Sequence, residues 1–191
     1  LASDAEADIV TPLARCKNLE RQAWVVSSSL SGMNRMPDPA QQALQRLHLH
    51  VAGKVLPELL ADLRAGDQST EMSGGPFLYN FVVDAGLETE LQSAIRDGLA
   101  AKEFTVEDVA ARFVGLSYVI GGSGKPSSAS FSGALFTQVT GVPATSTQHQ
   151  DREEWPDDSW ARRREFARDF VDPAGASTKV QDPDTQRVGD A

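Results

Sequence analysis

Cysteine is nearly absent from this chain. Cys16 is the single one in 191 residues, which excludes a disulfide framework or an all-cysteine metal site within one chain. Long apolar runs are missing as well. The richest stretch, from Leu47 to Leu60, is interrupted by His48, His50, Lys54 and Pro57, far short of the roughly 20 apolar residues that span a bilayer; no membrane partner is expected. Positive charge is scarce too: 18 Lys and Arg face 27 Asp and Glu, a formal net charge of −9. Such a surface repels phosphate on average, which disfavours nucleic-acid binding by a lone monomer with a basic groove but leaves room for a local basic cluster in an assembly.

What is present is enough for one core. About 40 % of the residues are hydrophobic, which suits one domain with an appended tail better than two domains. The boundary is expected near 146, with residues 1–146 as a helical domain and 147–191 as an acidic, polar tail carrying one short amphipathic helix. That helix bears Trp160, Phe166 and Phe170 beside the basic run Arg162-Arg163-Arg164, and the residues from Asp172 onward have the composition of a disordered end. No internal repeat is visible.

The helical signals are periodic. Ile9, Leu13, Cys16, Ala23, Val26 and Leu30 form one buried stripe, with Thr11 as cap and Pro12 at the first helical position. Asp38-Pro39 opens a second helix with Leu44, Leu47 and Val51 on one face, in which Pro57 predicts a kink or a new start and Gly66 an end. Residues 67–76 are polar and glycine-rich, a loop. Phe77 to Val83 fits either a strand or a helix entry. Leu87, Leu91, Ile95 and Leu99 predict a third helix, with Glu88 and Glu90 favoured by its dipole. Thr105 to Asp108 resembles a capping box that starts a fourth, whose stripe Val106, Val109, Phe113, Leu116 and Ile120 predicts a helix as far as Ile120. Beyond Gly121, a small-residue segment through Pro143 with isolated Phe131, Leu135, Phe136 and Val139 is expected to drape over the core. The fold class is therefore all-α, an antiparallel up-and-down four-helix bundle.

Catalytic chemistry finds little support. The stretch from Ile120 to Ser127 has the glycines and lysine of a phosphate loop, but Val119 stands where its first glycine belongs and Pro126 where its Ser or Thr belongs. His48 and His50 are two apart and point to different faces of a helix, and His149 lies in the polar tail, so no metal and no cofactor is expected. Serine-rich stretches lack the Gly-x-Ser-x-Gly elbow. Glu88, Glu90, Asp97, Glu103, Glu107 and Asp108 gather at the ends of two helices, where paired carboxylates serve as acid and base in some clefts but more often form a solvated hairpin end. Asp97 and Arg112 are expected to pair across that hairpin. The chain is not expected to be an enzyme.

Several short motifs have a common resemblance. Gly122-Ser-Gly124, Ser130-Phe131, Thr140 and Pro143-Ala-Thr-Ser146 are similar in order and spacing to the carboxyl-terminal segment of the coat proteins of rod-shaped, tobamovirus-like plant viruses. Tyr79-Asn80 with Val82 or Val83 and Asp84 resembles the entry to that family's third helix, Gln41-Gln42-Ala43 the start of its second, and Val106-Glu-Asp108 with Arg112 the opening of its fourth. The similarity runs from about Gln41 to Ser146. It departs from the family pattern in the short link between the third and fourth helices, the early position of Arg112, the displaced aromatic Phe136 and the tail after Ser146.

The resemblance implies a structural coat protein that assembles helically with copies of itself around single-stranded RNA, in the virion and, during assembly, in the host cytoplasm. It further implies Arg96, Lys102 and Arg112 as phosphate or salt-bridge cations, Asp108 as an acceptor toward base or sugar, and Arg46 as a further RNA contact. Glu103 and Glu107 would face carboxylates of a neighbouring subunit, so that repulsion loosens the rod and protonation firms it. The alternative is a non-catalytic accessory subunit that docks on a larger partner through Trp155, Trp160 and Phe166.

Overall fold

The computed structural model describes residues 18–66, 76–145, 148–151 and 159–172. Its first helix, α1, spans Leu19–Leu30. The Asn18 side chain caps it by accepting from the N–H groups of Glu20 at 2.8 Å and Arg21 at 3.2 Å, and Ala23 and Val26 are fully buried. The start expected at Thr11 and the stripe residues Ile9, Leu13 and Cys16 lie outside the described residues. A 3₁₀ turn at Met33–Arg35 leads to α2, Asp38–Ala65, which packs against α1. Its buried stripe of Leu44, Val51, Val55, Leu59 and Leu63 follows the helical period. Pro57 lies inside α2 on its exposed side and does not end it. Gly66, at φ 56°, does.

The ambiguous segment after the loop is helical. Helix α3, Pro76–Val82, runs through a π-helical turn at Val83–Leu87 into α4, Glu88–Ala100. Gly86 makes the turn with φ 87°, a conformation that costs glycine little. Helix α4 then closes tightly. Lys102 adopts φ 58°, its N–H donates to Leu99 O at 3.1 Å, and the Glu103 N–H donates to Gly98 O at 2.9 Å. That pairing is a Schellman cap with lysine where glycine is usual. The Phe104 ring folds back over Gly98, where an added Cβ would come within 2.3 Å of it.

Helix α5 starts with the expected capping box, in which Thr105 and Asp108 exchange hydrogen bonds, but it does not reach Ile120. It covers only Val106–Arg112, and strand β1, Val114–Tyr118, follows at once. The reason lies in the residues. Gly115 weakens a helix, whereas Val114, Tyr118, Val119 and Ile120 are β-branched or aromatic and favour an extended chain. Strand β1 pairs antiparallel with β2, Pro126–Phe131, and β2 pairs with β3, Gln148–Asp151. The small residues of β2 permit this close pairing, and Gly115 sits opposite Ser130.

The segment expected to drape over the core instead supplies part of it. Helix α6, Gly133–Thr140, buries Phe136 and Val139 completely, beside the fully buried Phe131. Phe113, Phe131 and Phe136 form a chain of ring contacts with centroids 5.5 Å and 5.6 Å apart. Helix α7, Trp160–Arg168, then packs on α5 and buries Phe166 and Ala167. The boundary expected at 146 is thus crossed by β3, by α7 and by a bridge between Ala144 and Val171. The fold is mainly helical, as expected, with a three-stranded sheet in addition. Among the described residues, no helix is long and apolar enough to cross a membrane.

Candidate functional site

The most concentrated polar chemistry lies where α2, α5 and α7 meet. Arg112, at the end of α5, is buried and directs its Nε to Asp62 Oδ2 at 2.7 Å. Its second terminal nitrogen donates to the backbone oxygens of Asp62 at 3.0 Å and Gly66 at 3.2 Å. Trp160 lies flat over the guanidinium, 3.5 Å from ring centroid to Cζ, a cation–π contact in a site shielded from water. Arg163 approaches the same ring at 4.9 Å and donates to Val114 O at 3.1 Å.

Charge inside this cluster is held at a cost. Burial pushes the Asp62 carboxyl above its usual 3.8, and the neighbouring charge and hydrogen bond of Arg112 pull it back only in part. Tyr79 is fully enclosed nearby. Burial raises its phenol far above the usual 10.0, against the attraction of Arg112, and its hydroxyl has no hydrogen-bond partner among the described residues. Each donor of Arg112 named above already meets an acceptor of the same chain, so the geometry is that of a clamp joining three helices.

This placement changes the expected roles. Arg112 faces Asp62 rather than Asp97: its guanidinium reaches the C-terminal end of α2, while Asp97 stays exposed on α4. Only 3 % of the Arg112 side chain is exposed, and the ion pair it makes is internal to the chain. Asp108 accepts from Thr105 N at 3.0 Å and Oγ1 at 2.9 Å, and lies 3.5 Å from Arg164; its acceptor capacity is used at the helix cap. Glu103 meets Arg64 at 2.6 Å in a half-exposed pair, whereas Glu107, on the first turn of α5, is half-buried with no ion-pair partner among the described residues.

Three of the expected cations remain on the surface. Arg96 is exposed on α4 and leans toward Thr140 O at 3.4 Å. Lys102 is exposed at the C-terminal cap of the same helix, and Arg46 is exposed on α2. Arg46 belongs to an open groove of about 510 Å³, lined also by Leu49, Asp84, Ala85 and Gly86. Gln42, Gln45 and His48 of α2 line it as well, and the π-helical turn supplies its Asp84 to Gly86 side. Nothing lies within 4 Å of where a Cβ on Gly86 would stand. Periodicity gave no signal for this turn.

His48 is buried, with Nε2 at 2.8 Å from Phe81 O, and His50 is exposed. Among the described residues no group of His, Cys, Asp or Glu is arranged to hold a metal ion. The phosphate-loop look-alike is the tip of the β1–β2 hairpin. Its apolar side chains stand in solvent, with Ile120 at 102 % and Val119 at 63 % relative exposure. Of the expected docking anchors, Phe166 is buried and Trp160 is stacked on Arg112; Trp155 lies outside the described residues.

No protein-family model matches the chain, and neither the curated proteins nor the solved structures contain a significant match to it.

Proposed function

We propose that this protein is a non-catalytic structural subunit that associates with copies of itself, and that the assembled form is a helical coat around single-stranded RNA, as in a virion. The observation that carries the reading is the hairpin tip. Tyr118, Val119 and Ile120 are large apolar residues left in solvent on an acidic body. Side chains of that kind gathered at one projecting turn mark a contact surface.

The helical body serves in this reading as the up-and-down bundle of a coat subunit. Helices α1, α2 and the continuous α3–α4 arm form its long members, and short α5 with the hairpin takes the fourth place. Arg96 and Lys102 remain the cations that face solvent on one helix, and Arg46 is a third. Each subunit then neutralises a few phosphates, and repetition along the array supplies affinity that a chain of net charge −9 lacks alone.

The test is co-assembly of purified protein with single-stranded RNA at low salt, followed by sedimentation and negative-stain microscopy. Rods or discs that protect RNA from nuclease are expected. Arg96→Ala and Lys102→Ala should each reduce the slope of log affinity against log salt by roughly 0.7, the value for one phosphate contact on a single strand, whereas Arg112→Lys should leave the slope unchanged. A protein that stays monomeric and ignores RNA at low salt refutes the proposal.

A further inference from the structure

Acidic residues are spread unevenly along this chain. There are 27 of them in 191 residues, yet none falls from 39 to 57, a stretch that makes up most of α2. Within it Gln42, Arg46, His50 and Lys54 follow one another at intervals of four, and all four are exposed. Residues four apart are neighbours on a helix surface, separated by about 6 Å along the axis at 1.5 Å per residue. Arg46, His50 and Lys54 have no hydrogen-bond or ion-pair partner among the described residues. Asp84 shares the groove with Arg46 at one end of the row, and Glu58, four residues after Lys54, closes the other. The ground beside the row is smooth. Leu49, Gly53 and Pro57 are exposed on the same face, and nothing stands within 4 Å of a Cβ placed on Gly53.

From this row we infer that the outer face of α2 is a track for the phosphate backbone of single-stranded RNA, with Arg46 and Lys54 meeting phosphates and Gln42 and His50 donating hydrogen bonds alongside them. The inference rests on the RNA-coat reading above and adds to it a contact line on a different helix from Arg96 and Lys102. Charge complementarity names the occupant. A body of net charge −9 keeps here a basic row without internal partners, and a polymer that carries one charge on every repeat can meet such a row cation by cation. Gly53 lets the strand come close to the helix, because no side chain holds it off. Contacts of this kind fix the path of a backbone without reading its bases, so the track is indifferent to RNA sequence. Two cations per subunit give little affinity alone, and repetition along an array multiplies it.

Salt titration of oligouridylate binding, followed by fluorescence anisotropy, tests the track. Arg46→Gln and Lys54→Gln should each reduce the slope of log affinity against log salt by ~0.7, and the double variant by about 1.4. Gln42→Ala should weaken binding at an unchanged slope, since it removes a donor and no charge. Arg64→Gln is the control, because Arg64 is an exposed cation of the same helix already paired with Glu103, and its slope should match the wild type. All these positions are on the surface, where substitution leaves the fold intact; circular dichroism of each variant should overlay the wild type. If Arg96→Ala and Lys102→Ala shift the slope and Lys54→Gln does not, the track is wrong and RNA binding stands. If polyglutamate at equal charge concentration displaces the oligonucleotide as well as unlabelled RNA does, the row is a site for acidic protein and the inference falls. If the chain binds no oligouridylate at low salt, the track and the RNA-coat reading fall together.

Discussion

Asp62 and Arg112 pose the sharpest energetic question at the scale of single residues. A buried ion pair gains attraction in a low-dielectric interior and loses hydration on both partners, and the loss frequently exceeds the gain. The upward shift of Asp62 says that burial dominates here, despite a hydrogen bond of 2.7 Å. Removing one partner is therefore costly and removing both is not. Arg112→Met should destabilise by about 3–5 kcal/mol, whereas Arg112→Met with Asp62→Leu should lie close to the wild type. Urea unfolding of the singles and the double checks both. The pH dependence has a definite sign. An acid whose folded pKa is raised contributes stability below its unfolded value of 3.8 that is lost as pH rises through the folded value. The stability of the wild type relative to Asp62→Asn should thus fall as pH increases across the acidic range; a rise would mean that attraction to Arg112 outweighs burial.

At the scale of elements, the turn from α4 to α5 shows how a short link is built from local rules. Lys102 occupies a left-handed position that glycine would fill without strain. Gly98 is held small because the Phe104 ring occupies the space of any Cβ. Lys102→Gly should stabilise the chain by about 1 kcal/mol, and Gly98→Ala should destabilise it by about 1–3 kcal/mol through overpacking. Thermal denaturation of the two variants should move in opposite directions. The capping box at Thr105 and Asp108 was legible beforehand because its four residues carry the whole signal. The end of α5 was not. Its apolar spacing suits a helix through Ile120 while its Gly115 and β-branched residues favour an extended chain, and pairing of Val114 to Tyr118 with β2 decides between the two.

At the scale of the whole molecule, the C-terminal helix unifies the structure. Trp160 closes over Arg112, Arg163 reaches Val114 O and Arg164 approaches Asp108. A helix with three consecutive arginines looks like a free basic patch in sequence, and two of them instead tie α7 to α5 and β1. Trp160→Ala should release this helix. The expected outcome is a loss of about 2 kcal/mol, the value of a desolvated cation–π contact, with faster amide exchange confined to α7 and β1 while α1 and α2 stay protected. Uniform loss of protection across all helices would show instead that α7 is part of one cooperative unit.

The amino-acid sequence determined, without tertiary help, the helical character of most of the described residues, the cap at Thr105 and the end of α2 at Gly66. These depend on neighbours a few residues away, and such interactions are written in order along the chain. Only the tertiary structure decided that Arg112 belongs to Asp62, fifty positions earlier, that β2 draws β1 out of a helix, and that Ile120 stands alone in solvent. Those outcomes depend on which segments meet, and burial, pairing and exposure have no value until they do.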